Sequence, residues 1–417
     1  MSAVAPIQGG KPVMVCYISG FDLRRVSAGA TPFVASSLTA YPWKRYTNLP
    51  SNELFPTLVT GVDPTVHGVW GVRLHDGAGR SALSAFQRYL PATVATTIQC
   101  FHHYRANTYD LAAVEPSRRA AFDITRTKYK RRSKLPEALY EIGGVPTVLG
   151  LVGPGRGHYT YSSAADPIAD VLPLLCEEDR TLEILELYSL DRYQQWNLDD
   201  MEAVERFYGE IDGFLHALNE RCEERGAVLL LLSDHGHEPV VGCIDLKKEL
   251  KRLGLKRGDL TYFIEVSNVR FWFHAPAAAE KVGDWMRSLP NGRFLEYREM
   301  AEYGVPLTDD TYGEAFFFLD PGYVFFPHDF YHPVANAFLA LSDPMQRKRL
   351  RDPRHRGNHG HLPHFAAEDS FMLLMDGGYS TDEEPADILD VAPSILELLG
   401  VEQPENMSGR ALFRPAG

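Results

Sequence analysis

The sequence predicts an α/β fold, with a mostly parallel central sheet, helices on both of its faces and an inserted cap subdomain. Short runs that are apolar up to a closing serine, such as residues 13–19 (VMVCYIS) and Val228–Ser233 (VLLLLS), suit strands buried on both faces. These runs alternate with helical patterns, as helices covering both faces of a parallel sheet require. Residues 243–320 break that alternation with a pattern of their own, and 417 residues leave room for more than one folding unit.

Taken in order, residues 13–19 read as a strand ending at Gly20, and residues 32–38 begin a helix. Residues 57–60 precede Gly61 and the turn residues Asp63 and Pro64. Residues 135–142 read as a helix stopped by Gly143 and Gly144, and residues 145–152 and 182–190 as strands. Residues 201–226 form a long amphipathic helix, because Val204, Phe207, Ile211, Phe214, Leu215 and Leu218 keep helical spacing. Val228–Ser233 is the clearest buried strand. Residues 371–375 read as a strand, and residues 388–399 as a helix closed by Gly400.

Two stretches interrupt this order. Residues 75–134 carry the basic run Lys128, Lys130, Arg131, Arg132 and Lys134, which reads as a solvated face, with a substrate-anion contact as the sharper alternative. Residues 243–320 contain a helix at 246–253, a strand at 269–274 and a helix at 277–289. They read as the inserted cap, which leaves 1–242 and 321–417 as the catalytic core. Within the cap, Phe271–Phe273 suit its interior, whereas Tyr262 and Phe263 are the candidates for stacking on a flat group of the substrate.

Apolar residues make up 45% and charged residues 23%, as in an ordinary globular enzyme. With 42 Lys and Arg against 55 Asp and Glu, the net charge of -13 argues against binding a nucleic acid polymer. A small anionic substrate is compatible with it, since a metal supplies positive charge locally. The five cysteines form no CxxC pair and read as buried reduced thiols. The first 12 residues lack a signal-peptide pattern, and no apolar run approaches the ~18 residues of a membrane span. The expectation is a cytoplasmic protein that does not engage a membrane.

Asp22, Asp191 and Asp234 each come soon after an apolar run, at the carboxyl edge where such sheets bind ligands. Ser233-Asp234-His235-Gly236-His237 is the strongest local signal. A carboxylate and an imidazole on one strand-end loop can reach a single cation, and Gly236 permits the tight turn. His237 is expected to pack or to hydrogen-bond.

Four segments in order resemble the alkaline phosphatase superfamily, nearest to its nucleotide pyrophosphatase/phosphodiesterase members. They are VMVCYISGFDLRR with Asp22, LPSNELFPTLVTGVDPTVHGVWG at 49–71, LLLLSDHGHEP, and GNHGHLP with His359. The tail DILDVAPSILELLGVEQPENMSGRAL at 387–412 is similar to the closing segment of that family.

The resemblance implies a site for two metals, usually zinc, with Mn²⁺ or Mg²⁺ as alternatives. Asp22, Asp234, His235 and the nucleophile oxygen would hold one ion, and Asp191 and His359 the other. The family nucleophile lies ten residues before the glycine of the (T/S)xxTG segment, which counts back from Gly61 to Ser51. A serine hydroxyl is a weak nucleophile near neutral pH, and a bound cation can stabilise its alkoxide. Thr57 and Thr60 are the competing hydroxyls and read as structural. Gln195 stands where relatives place a histidine, and it is a poor zinc ligand beside imidazole. The second ion is therefore expected to bind weakly, unless His361 substitutes or Arg192 takes over part of the charge. His67 reads as structural, and His361 and His364 as flanking residues able to orient a ligand.

The implied activity is hydrolysis of phosphodiesters or nucleotide-type pyrophosphates through a phosphoserine. The alternatives are a degenerate member that binds metal or nucleotide without turnover, and a phosphomonoesterase or sulfatase. No CxPxR-like motif lies near residue 51, which weakens the sulfatase reading.

Overall fold

A computed structural model describes residues 10–51, 53–71, 74–75, 94, 122–123, 140–153, 155–161, 172–173, 175–176, 180–256, 258–331 and 333–416. The basic run at 128–134 lies outside the described residues. The central sheet has six strands, in the order Trp43–Tyr46, Ser370–Leu374, Val228–Ser233, Val13–Ile18, Leu182–Leu187 and Arg156–Tyr161. The last four run parallel to one another, and Ser370–Leu374 is antiparallel to Val228–Ser233. The sheet is thus mostly parallel, as the apolar runs predict.

The two faces of this sheet bury different clusters. Val13, Val15, Tyr17, Val228, Leu230 and Leu232 point into one, with the Val391–Leu399 helix. Met14, Cys16, Ile18, Leu229 and Leu231 point into the other, with the Met201–Glu224 helix. Because successive side chains of a strand alternate faces, a sheet covered on both sides needs apolar residues at every position. Each fully buried leucine contributes about 1.5–3 kcal/mol, so these runs fix the centre of the fold.

Register delivers the site. Ile18 pairs with Leu187 on one side and with Ser233 on the other, so three chain segments leave the sheet side by side. They lead to Ser19, to the Ser189–Asn197 helix carrying Asp191, and to Asp234.

Two elements differ from expectation. Glu141–Ile142 is a strand paired with Val145–Pro146, not the end of a helix. Gly143 and Gly144 both have positive φ, at 60° and 84°, so this glycine pair makes a hairpin turn rather than a helix stop. The apolar stretch after it is mainly the Val148–Val152 helix, capped by Thr147, whose side chain accepts from the Gly150 amide. A short helix that is apolar at every position has the same pattern as a buried strand.

Between the halves of the central fold lies a four-stranded antiparallel sheet, in the order Leu260–Ile264, Asn268–Phe273, Ala315–Leu319, Gly292–Glu296. It has an apolar cluster of its own, including Leu246, Phe271, Val282 and Phe317. It touches the loop carrying His359 at two points. The Ser267 hydroxyl donates to the Gly360 carbonyl at 2.8 Å, and His361 Nδ1 lies 2.8 Å from the Leu319 carbonyl.

Candidate metal centre

Asp191, His237 and His359 bring one carboxylate oxygen and two ring nitrogens within 4.8 Å of one another. His237 Nε2 lies 3.1 Å and His359 Nε2 3.2 Å from the same oxygen, Asp191 Oδ1. His237 is fully buried, and apart from this 3.1 Å contact neither of its ring nitrogens finds a hydrogen-bond partner among the described residues. Unpaired buried nitrogens are costly, and a cation between imidazole and carboxylate would satisfy them. Burial lowers the His237 imidazole to about 3, against the pull of Asp191, so it stays neutral and keeps the lone pair that a metal needs. Burial alone would raise the Asp191 carboxyl, but His237 and His359 outweigh it and hold it well below the usual range. Conversely, burial would lower His359, and Asp191 raises it. One carboxylate and two imidazoles suit zinc, and three protein ligands leave a coordination position open.

The surroundings hold this triad in place. Gln195 sits on the Asp191 helix and directs its amide nitrogen at both carboxylate oxygens, each at 3.0 Å. It turns its amide nitrogen, not its carbonyl oxygen, toward Asp191, in keeping with the poor ligand read from the sequence. Arg24 donates to the His237 carbonyl at 3.2 Å and pairs with Glu238, tying down the loop that carries His237. Gly20 has φ of 82°, and a Cβ there would meet His237 Cε1 at 2.9 Å and the Asp191 backbone at 3.1 Å. Only glycine lets the three segments approach so closely.

The neighbouring half of the edge is built differently. Both Asp234 oxygens accept hydrogen bonds: Oδ2 from the Tyr17 hydroxyl and from Ser19 Oγ at 3.1 Å, and Oδ1 from the Gly20 amide at 3.0 Å. His235 Nε2 lies 3.4 Å from both Asp234 Oδ2 and Ser19 Oγ. The His235 ring stacks on His359, with centroids 3.6 Å apart and planes at 5°, and so joins the two halves. Burial lowers the His235 imidazole, against Asp234.

Asp22 does not join Asp234, contrary to expectation. Its carboxylate takes a forked contact from Arg24, with Nη2 to Oδ2 at 2.7 Å and Nε to Oδ1 at 2.9 Å, and Arg25 lies 3.7 Å away. It also caps the Leu23–Arg25 turn by accepting from the Arg24 amide. Two guanidinium groups already neutralise this carboxylate, so it serves the turn.

Ser51 is 8% exposed, with its hydroxyl donating to the Trp70 carbonyl and accepting from the Glu53 amide at 2.9 Å. Among the described residues, no hydrogen bond joins it to Asp234 or His235. Thr57 is buried and bonded to His67 Nε2 at 3.0 Å, which fits the structural role read for both. His361 has its Nδ1 at the Leu319 carbonyl, and it is His237 that stands beside Asp191 in the place considered for it. Phe263 is fully buried, with its ring near Phe330 and the Arg270 guanidinium, so the expected substrate contact gives way to a packing role. Tyr262 is partly buried against the second sheet's own cluster. The described cysteines Cys16, Cys176, Cys222 and Cys243 are free thiols, and no described helix is long and apolar enough to cross a membrane.

The sequence reading gave His237 a packing or hydrogen-bonding role and did not single out Ser19. The doubled histidine of Asp-His-Gly-His was the available signal for the first, and the strand-end position of Ser19 for the second.

The fold is the one found in nucleotide pyrophosphatase/phosphodiesterases. The chain is similar to murine ectonucleotide pyrophosphatase/phosphodiesterase 5, in an inactive form in complex with AMP, with a TM-score of 0.62 at 14% identity over 94% of this chain and 96% of that one. It is equally similar to the human protein of that name, with a TM-score of 0.62 at 15% identity over 95% and 97% of the two chains. No protein-family model matches the chain, and no curated protein matches it by sequence.

Proposed function

We propose that the chain is a cation-dependent hydrolase of phosphodiester or nucleotide-type pyrophosphate bonds. The observation that carries this reading is the Asp191–His237–His359 triad, with its unpaired buried nitrogens, at the carboxyl edge of the sheet. A zinc ion bound there would draw charge from a phosphoryl oxygen and stabilise the charge that develops on it. Asp191 and the two imidazoles fix the site, and Gln195 orients the carboxylate. Ser51 is the nucleophile in this reading: its oxygen bonds to phosphorus as the leaving group departs, and water then cleaves the phosphoserine. The AMP held by the murine neighbour supports a nucleotide-like substrate.

The test is hydrolysis of a chromogenic bis-ester and of nucleotide diesters, with and without chelator. Activity should vanish on chelation and return with zinc. Ser51→Ala should lose at least about a thousandfold in rate while keeping its cation. A second reading, nucleotide binding without turnover, is favoured by the Ser51 hydroxyl being engaged by Trp70 and Glu53. AMP binding with no hydrolysis of any ester would establish it in place of the first.

A further inference from the structure

We infer that this centre works with one cation, at Asp191, His237 and His359, and that Tyr17 and Ser19 take the place of a second beside Asp234. The inference rests on the cation-dependent reading above. A second ion at Asp234 would need several acceptor atoms around it, yet apart from His235 the groups bonded to that carboxylate are donors. The Tyr17 and Ser19 hydroxyls share Oδ2, and the Gly20 amide occupies Oδ1. Backbone N–H cannot turn into an acceptor, and both hydroxyls would have to swing their hydrogens away.

Charge points the same way. A dication wants more than one anionic ligand or several imidazoles, and Asp22, the second carboxylate in reach by sequence, is committed to Arg24 and Arg25. Asp234 is left with His235 alone, and Tyr17 and Ser19 are neutral at working pH.

The triad is the opposite case. Its carboxylate oxygen faces two imidazoles, and apart from that contact His237 has no hydrogen-bond partner among the described residues to give up when a cation enters. The loss of a ligand at Gln195 is made good within the same cluster, because His237 enters from a different loop and reaches the same Asp191 oxygen. Tyr17 and Ser19 are positioning residues in this arrangement. They hold Asp234, and through it His235, whose ring stacks against His359.

The experiment is cation stoichiometry on the full chain, stripped by chelator and titrated with Zn²⁺ against a chromophoric chelator, with elemental analysis after gel filtration. One tightly held zinc per chain is expected. His237→Ala should weaken it by at least about tenfold, and Asp234→Asn by less than about threefold. The paired variant Tyr17→Phe, Ser19→Asp removes two donors from Asp234 and adds a carboxylate, and should take up a second zinc. Two tight ions in the natural chain, or equal weakening by His237→Ala and Asp234→Asn, would overturn the inference and leave the hydrolase reading standing. No bound zinc, manganese or magnesium at all would sink that reading as well. Should Asp234→Asn fail to fold, the count on the natural chain still decides.

Discussion

The two halves of the sheet edge hold the same residue types and behave as opposites. Around Asp191, two imidazoles converge on one carboxylate oxygen, and the buried ring of His237 has no other hydrogen-bond partner among the described residues. Around Asp234, hydroxyl and amide donors engage both oxygens of the carboxylate. Each half offers an aspartate and a histidine, so composition does not separate them. What differs is whether the chain has already met the polar groups itself. A buried acceptor with its hydrogen bonds made has little to gain from a cation, whereas unpaired ring nitrogens beside a carboxylate have much.

The sharpest way to break this comparison is at the carboxylate that both imidazoles share. Asp191→Ala should weaken zinc binding by at least about a hundredfold and abolish cation-dependent hydrolysis. A competition titration reads the affinity directly, and near-normal binding would move the site elsewhere. The next effect falls on the other half and on a different observable. Tyr17→Phe leaves a buried carboxylate oxygen with one donor fewer and should cost about 1–3 kcal/mol of stability in urea unfolding, with the zinc count unchanged. If the variant is as stable as the natural chain, Asp234 does not depend on the hydroxyl and the contrast between the halves fails. The smallest effect separates holding a cation from orienting its ligand. Gln195→Ala removes both amide contacts to Asp191 and should weaken zinc by about tenfold. A loss as large as that of Asp191→Ala would mean that Gln195 is itself a ligand.

Much of the sheet was readable in advance for a plain reason. Val13–Ile18 and Val228–Ser233 are buried at every position, and a strand covered on both faces has few other compositions open to it. The long helix was equally legible, because its apolar stripe repeats for 24 residues, from Met201 to Glu224. Residues 145–152 were not, since a five-residue helix is too short to show a period.

The candidate site divides in the same way. Position along the chain indicated that Asp191, Asp234 and His235 would reach the sheet edge, since strand ends in a parallel sheet gather there, and the family resemblance implied His359 beside them. It could not indicate which way Asp22 turns. That is decided by Arg24 and Arg25, whose guanidinium groups claim the carboxylate once the turn forms. His237 illustrates the same limit: its place beside Asp191 depends on the Arg24 clamp on its backbone and on Gly20 allowing close approach.

The sequence by itself determined the parallel core and the chain segments that reach its carboxyl edge, because burial on two faces leaves a one-dimensional record in unbroken apolar runs. Only the tertiary structure decided which side chains at that edge are already satisfied and which are left open. Hydrogen-bond partners such as Tyr17 and Asp234, 217 positions apart, meet through strand register, and no local pattern records that meeting.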